Sequence, residues 1–170
     1  MPQPQFIADN NQSRQPTTLW LWLSWCALAI IGRVIPHLPD MTPMLGLSVL
    51  CWQSSGRWHS ILLITVSMLI SNLILAAVYH YPLIGIWSLW SIAGILALAF
   101  ISEYLPRHPK YHNLSLYTQT MLLSVVYWAW LNAQTWICTP LYSHTWSGLM
   151  TSEWMGLPFL GNMLIGDSLF

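Results

Sequence analysis

The sequence predicts an all-α membrane protein: a bundle of six transmembrane helices with both termini in the cytoplasm. Three observations lead there. Charged residues make up 6% of the 170-residue chain and apolar residues 55%, against about 25% charged in ordinary globular domains. Twelve Trp and seven Tyr suit a chain whose amphipathic rings sit where lipid headgroups meet hydrocarbon. The apolar residues also cluster into six stretches, at about 18–35, 43–54, 59–79, 82–105, 114–138 and 154–170. With five Lys/Arg and five Asp/Glu the chain lacks both the charged surface of a soluble monomer and the basic patch that neutralises phosphates, which excludes nucleic acid as a partner.

Taken in order, residues 1–17 are polar and contain proline, and form a tail on which no fold is forced. The domain follows at 18–170. Helix 1 opens on the aromatic burst "LWLWLSW" at 19–25. Its "ALA" at 27–29 resembles a signal cleavage site, but the apolar pattern runs on through Ile30 and Ile31, so an uncleaved helix is expected. Helix 2, "PMLGLSVLCWQS", is short for a crossing, which takes roughly 20 residues, and helix 6 sits at the lower limit. Either can be partial, re-entrant or tilted. Loop charge decides for six crossings. The tail, the 55–58 turn and the 106–113 loop then share a face and hold Arg14, Arg57, Arg107 and Lys110, as the positive-inside rule requires. The external face collects the 36–42, 80–81 and 139–153 loops.

Arg33 is the basic residue this topology leaves over, one turn below the external surface in "GRVIPHLPDMTP" at 32–43. Pro36, Pro39 and Pro43 remove backbone donors and turn their predecessors away from helix. The chain must therefore break between helices 1 and 2. A broken backbone at membrane depth is tolerated where protein buries it or where it lines a wet cavity. Two readings stay open. In one, Arg33 or His37 faces a ligand at a pocket mouth; in the other, Arg33 pairs with Asp40 in an interfacial turn and Thr42 helps to start helix 2.

Other polar residues lie inside the spans. Ser71, Asn72, Asn132, Gln134 and Asn162 suit interhelical hydrogen bonds, whereas the Asp167 carboxylate needs a cation, water or a proton, with Arg57 within reach. His80 ends helix 3 on the external side, where a cavity mouth would suit ligand binding or coordination of a metal-containing ligand. His108 and His112 lie in a proline-broken loop with no third ligand, so no metal site is expected. Cys26, Cys51 and Cys138 form no pair by spacing and read as small core hydrophobes, with Cys138 near a helix end. No nucleophile elbow, HExxH, Walker loop or CxxC occurs. The chain is expected to be no enzyme and to hold no cofactor of its own.

Four blocks carry a resemblance: R-x-x-P-H-x-P-D-x-T-P at 33–43, S-N-L-I-L at 71–75 followed by His80 and Tyr81, N-A-Q-T-W at 132–136, and P-F-L-G-N-M-L-I-G-D at 158–167. Over about residues 25–170 the chain resembles a family of bacterial inner-membrane proteins similar to the substrate-binding S components of energy-coupling-factor (ECF) vitamin transporters. The resemblance implies a six-helix fold that binds a vitamin-like small molecule, or cofactor precursor, near its external face. Arg33, His37, Asp40, Thr42, Asn72, His80, Asn132, Trp136, Asn162 and Asp167 would form that site, lined from helices 1, 3, 5 and 6. Asp40 and Asn72 stand where the resemblance leads one to expect Asn and Asp, a polar exchange between two segments. Helix 1 lacks the Ala-x-x-x-Ala pattern by which many S components dock on an ATPase-driven module; it offers Ser24, Ala27 and Ala29. That departure favours a solitary S-like protein, as known for vitamin B12 uptake, with His80 or Cys138 as a cobalt ligand. The rival readings are an interaction subunit whose polar residues are structural, and a haem- or quinone-binding protein using His80.

Overall fold

The computed structural model describes residues 19–35, 38–80, 82–106 and 109–168, so the 1–17 tail lies outside the described residues. Among them the chain is all α, with six α-helices and two short 3₁₀ turns. The helices are α1 (Leu19–Val34), α2 (Met44–Ser55), α3 (Arg57–Tyr79), α4 (Ile86–Ile101), α5 (His112–Cys138) and α6 (Trp146–Ser168). The 3₁₀ turns, Ser102–Tyr104 and Pro109–Tyr111, lie between α4 and α5. Two stretches, Arg57–Tyr79 and Ile86–Tyr104, are long and apolar enough to cross a membrane, and α1 is apolar but shorter.

Boundaries differ from the sequence reading in three instructive places. A single residue, Gly56, separates α2 from α3, at φ 98°; that backbone favours glycine, so the chain reverses with no loop. Helix α4 starts at Ile86, not 82, because Pro82 and the extended Gly85 (φ −133°) hold the chain out of the helix. Helix α6 starts eight residues early, at Trp146, where the Thr145 hydroxyl accepts the Gly148 N–H at 3.2 Å as an N-cap. The stretch "WSGLMTSE" is too polar to stand out as a span, and the loop expected at 139–153 shrinks to 139–145 accordingly.

Helix α2 is the centre of the molecule. Its 12 residues give about 18 Å, well short of a hydrocarbon core of roughly 30 Å. Met44 to Val49, Cys51 and Trp52 are all buried, and α2 packs against each of the other five helices. The Ser60 hydroxyl donates to the Ser48 carbonyl at 2.8 Å, drawing α3 close. The polar side chains face inward: Ser48, Ser60, Ser67, Ser71, Ser88, Ser124 and Ser152 are all essentially inaccessible. The outward faces carry Leu62, Leu69, Ile70 and Leu73 on α3 and Leu122, Val125 and Val126 on α5. Large aliphatic side chains thus cover the outside as well as filling the core with Leu47, Val49, Leu63 and Ile64, whereas a water-soluble bundle keeps most of them inside. Small hydroxyl residues at helix contacts let backbones approach, as in bundles packed without a hydrophobic drive between helices.

At the end that holds Gly56, the Trp52 indole donates to Glu103 at 3.2 Å, and the Gln119 amide donates to the Pro106 carbonyl at 2.8 Å. Trp22 donates to the His59 carbonyl at 3.0 Å. These contacts put Arg57 and Lys110 at one end of the bundle. Arg33, Asp40, His80 and His144 belong to the other end.

Candidate functional site

The stretch from Leu38 to Gly46 is threaded through the bundle between two glycines. A Cβ added at Gly32 of α1 would stand 2.7 Å from Pro43 Cδ, and one at Gly166 of α6 would stand 2.9 Å from Thr42 N and 3.0 Å from Met41 C. Both contacts are closer than carbon atoms tolerate, so only glycine fits on either side. The Asn162 amide of α6 donates to the Pro39 carbonyl at 3.0 Å, which satisfies one backbone acceptor of the non-helical segment. Asp40 turns the chain in the left-handed region, at φ 62°, a conformation a short polar side chain tolerates.

The start of α2 is capped from a distance. Pro43, at its N-cap, offers no side-chain hydrogen bond, so the first-turn N–H groups need an outside acceptor. Asp167 supplies it: Oδ1 accepts the Gly46 N–H at 2.9 Å, and Oδ2 accepts the Ser124 hydroxyl at 2.6 Å. The carboxylate is 2% exposed. An anion at a helix N-terminus is stabilised by the aligned peptide dipoles, so neutral donors and a helix end, not Arg57, hold Asp167. Arg57 instead lies over the ring of Trp58, 5.6 Å from its centroid. Ser124 lies about 18 Å along α5, so α2 begins near the middle of the length of α5.

Arg33 is held from one corner of its guanidinium. Nη1 donates to Ser71 Oγ and to Asn72 Oδ1, both at 2.8 Å, and lies 3.0 Å from the Met68 thioether sulfur. The Asn72 amide is fixed in turn, its Nδ2 donating to the Leu83 carbonyl at 3.1 Å and to Ser88 Oγ at 3.3 Å. Beside it lies a pocket of about 360 Å³ whose walls include Arg33, Asp40, Thr42, Asn72 and Trp87. A deeper chamber of about 230 Å³ shares Arg33, Asp40, Thr42 and Trp87 and reaches Ser91 and Tyr127. A third, of about 370 Å³, shares Asp40 and Trp87 and opens between α5 and α6 past Asn132 and Gln134. From the opposite end a separate pocket of about 270 Å³ approaches Asp167, lined also by Asn113, Tyr117 and Thr120.

The structure thus brings together Arg33, Asp40, Thr42 and Asn72 on one wall, with Asn132 on the connected chamber. Asp40 and Asn72, the exchanged pair, line the same pocket. The remaining expectations divide. His37 lies outside the described residues. His80 is exposed and serves as the left-handed cap of α3, its backbone N–H bonding the Ala76 carbonyl at 3.1 Å. The Trp136 indole donates to the Ser143 carbonyl at 2.9 Å, pinning the 139–145 loop. Asn162 and Asp167 hold the broken segment and α2 in place. Asn132 packs against Gly156 of α6 and accepts from Ser152 through its backbone carbonyl at 3.0 Å. Cys26 and Cys51 are buried among core side chains. Among the described residues no group of three or more His, Cys, Asp or Glu is placed to hold a metal.

Sequence reading missed Trp87, Ser91 and Tyr127. Trp87 follows Pro82 and Gly85, whose breaking of the helix was the available signal. A Cβ at Gly85 would meet the Trp87 indole nitrogen at 2.5 Å, so the ring lies across the first turn of α4.

A family model described as "Family of unknown function (DUF6580)" matches residues 12–170, and the chain belongs to that family. No curated protein and no solved structure matches it.

Proposed function

We propose that this DUF6580 member is a multi-pass protein of the bacterial inner membrane that binds a small, vitamin-like solute for uptake, in the manner of an ECF S component. It acts as a binding protein, without catalysis. The reading has six spans, with α2 as a partial span completed by residues 38–43, and both termini in the cytoplasm. Outward aliphatic faces and inward hydroxyls suit lipid as the surrounding solvent. Arg57 and Lys110 at the Gly56 end support a cytoplasmic placement of that end.

One observation carries the solute-binding reading. A guanidinium inside the bundle borders a cavity with polar and aromatic walls, where the backbone is broken and held by side chains from α6. Charge at such depth is costly and belongs to ligand pathways by default. Concave sites with a few fixed polar groups on apolar walls are what small molecules bind. Helix α1 supports a solitary protein: Ala29 is buried in the core, which leaves Ser24 and Ala27 as its outward small residues.

The interaction-subunit reading draws on Trp20, Trp58, Trp146 and Trp154, each more than 65% exposed. Rings so exposed suit a protein partner as well as a lipid interface. Native mass spectrometry of the protein released from nanodiscs separates the two. A retained small molecule supports uptake; an additional polypeptide with no small molecule refutes it.

A further inference from the structure

The solute pocket contains more information than its position. Resting on the solute-binding reading above, we propose that the ligand is a small, flat, ring-bearing carboxylate, its two oxygens held side-on by Nε and Nη2 of Arg33 and its ring against Trp87.

The guanidinium is half used. All of its described hydrogen bonds leave from Nη1, to Ser71, Asn72 and Met68. Among the described residues Nε and Nη2 have no acceptor. Those two nitrogens form the fork that meets the two oxygens of a carboxylate in one plane, the strongest and most directional pairing arginine makes. The plane is fixed beforehand. Nη1 is tied to two acceptors on α3, and Asn72 cannot rotate its oxygen away because Leu83 O and Ser88 Oγ hold its amide nitrogen. An anion arriving at this edge finds the donors already oriented. The partners of Nη1 are neutral, so the charge of Arg33 is not cancelled by them.

Size and shape narrow the class. About 360 Å³ is near the lower end of pockets that take small molecules, room for one or two fused rings. Trp87 gives a flat aromatic face, and Leu38, Leu75 and Pro82 complete an apolar wall.

The test uses the full chain in phosphatidylcholine nanodiscs, titrated calorimetrically with two matched pairs: benzoate and benzamide, indole-3-acetate and indole-3-acetamide. In each pair that binds, the acid is expected to bind at least about ten-fold tighter than its amide, since a fixed donor fork loses its partner. Arg33→Gln should reduce that preference to less than about two-fold, and Arg33→Lys, which keeps the charge but not the fork, should remove most of it. Trp87→Leu should weaken acid and amide alike. Equal binding of acid and amide, a preference that survives in Arg33→Gln, or no binding by any of the four probes overturns the carboxylate class. Native mass spectrometry of the same preparations distinguishes this from failure of the uptake reading. A neutral or cationic small molecule retained by the wild type and lost in Arg33→Gln sinks the carboxylate alone, whereas a phospholipid retained through Arg33 sinks both.

Discussion

Removing the Asp167 carboxylate should loosen the start of α2, and the size of the effect follows from its two hydrogen bonds. In Asp167→Ala, the Gly46 N–H loses its acceptor at a buried helix start, a loss of about 1–3 kcal/mol. The favourable charge at the helix end goes too, for up to about 2 kcal/mol in a partly buried setting. The Ser124 hydroxyl contributes little to the total, because it also lies 2.9 Å from the Thr120 carbonyl and can donate there. With a mid-range value for each, the sum is about 3 kcal/mol. Asp167→Asn keeps an oxygen for Gly46 and can donate its amide to Ser124, so it should lose only about 1 kcal/mol, the difference between a charged and a neutral acceptor. At roughly 2–4 °C per kcal/mol for a chain of this size, the alanine variant should melt roughly 5–15 °C below wild type in mild detergent and the asparagine variant only a few degrees below. Hydrogen exchange read on the amides of residues 44–47 should speed up in Asp167→Ala and not in Asp167→Asn. Equal melting of the two variants, or unchanged exchange at those amides, would refute the capping argument. A cycle with Ser124→Ala checks the geometry, since contacting groups couple by about 0.5–3 kcal/mol.

Gly166→Ala should destabilise by about 1–3 kcal/mol through overlap with Met41 and Thr42, whereas Gly161→Ala on the same helix, with open space at its Cβ, should be neutral or stabilising; similar melting temperatures would contradict the pinched path. Gly56→Ala should lose about 1–3 kcal/mol because its φ of 98° suits glycine alone, and a wild-type denaturation midpoint would argue against a one-residue reversal. With Cys138 replaced by Ser, a membrane-impermeant maleimide should label Ser143→Cys in intact cells and label Ser54→Cys only after permeabilisation. The opposite pattern would reverse the topology.

Much of the helical order was legible because apolar runs in a chain with 6% charge have few alternatives. The C-terminal ends of α1, α2, α3 and α5 fall within one residue of the sequence expectation, where prolines, Gly56 and Thr139 punctuate the chain. The start of α6 was not legible: a buried face of Gly148 and Ser152 looks polar in one dimension, and it becomes core only where Gly148 meets Ser143 and Ser152 meets Asn132 of α5. The break at 32–43 could be read from its prolines. Its partners could not, since Asp167 and Asn162 lie more than 120 residues away. For the same reason Asp167 looked like a charge in search of a cation, when what it meets is the end of a helix that the sequence shows only as a short apolar run. Trp87 was hidden among twelve similar residues; what selects it is the bare backbone of Gly85 beneath it.

The central position of α2 has a consequence for how the chain is assembled. Bonds that join residues 121 and 123 positions apart, Gly46 to Asp167 and Asn162 to Pro39, must wait until α6 has emerged, and closing so large a loop costs entropy before any contact repays it. Too short to cross a bilayer alone, α2 must remain in the nascent protein beside α3, its polar first turn uncapped, until α6 arrives. The bundle is then locked by α6 on α2, and damage near Gly166 or Asp167 should be felt first as failed maturation.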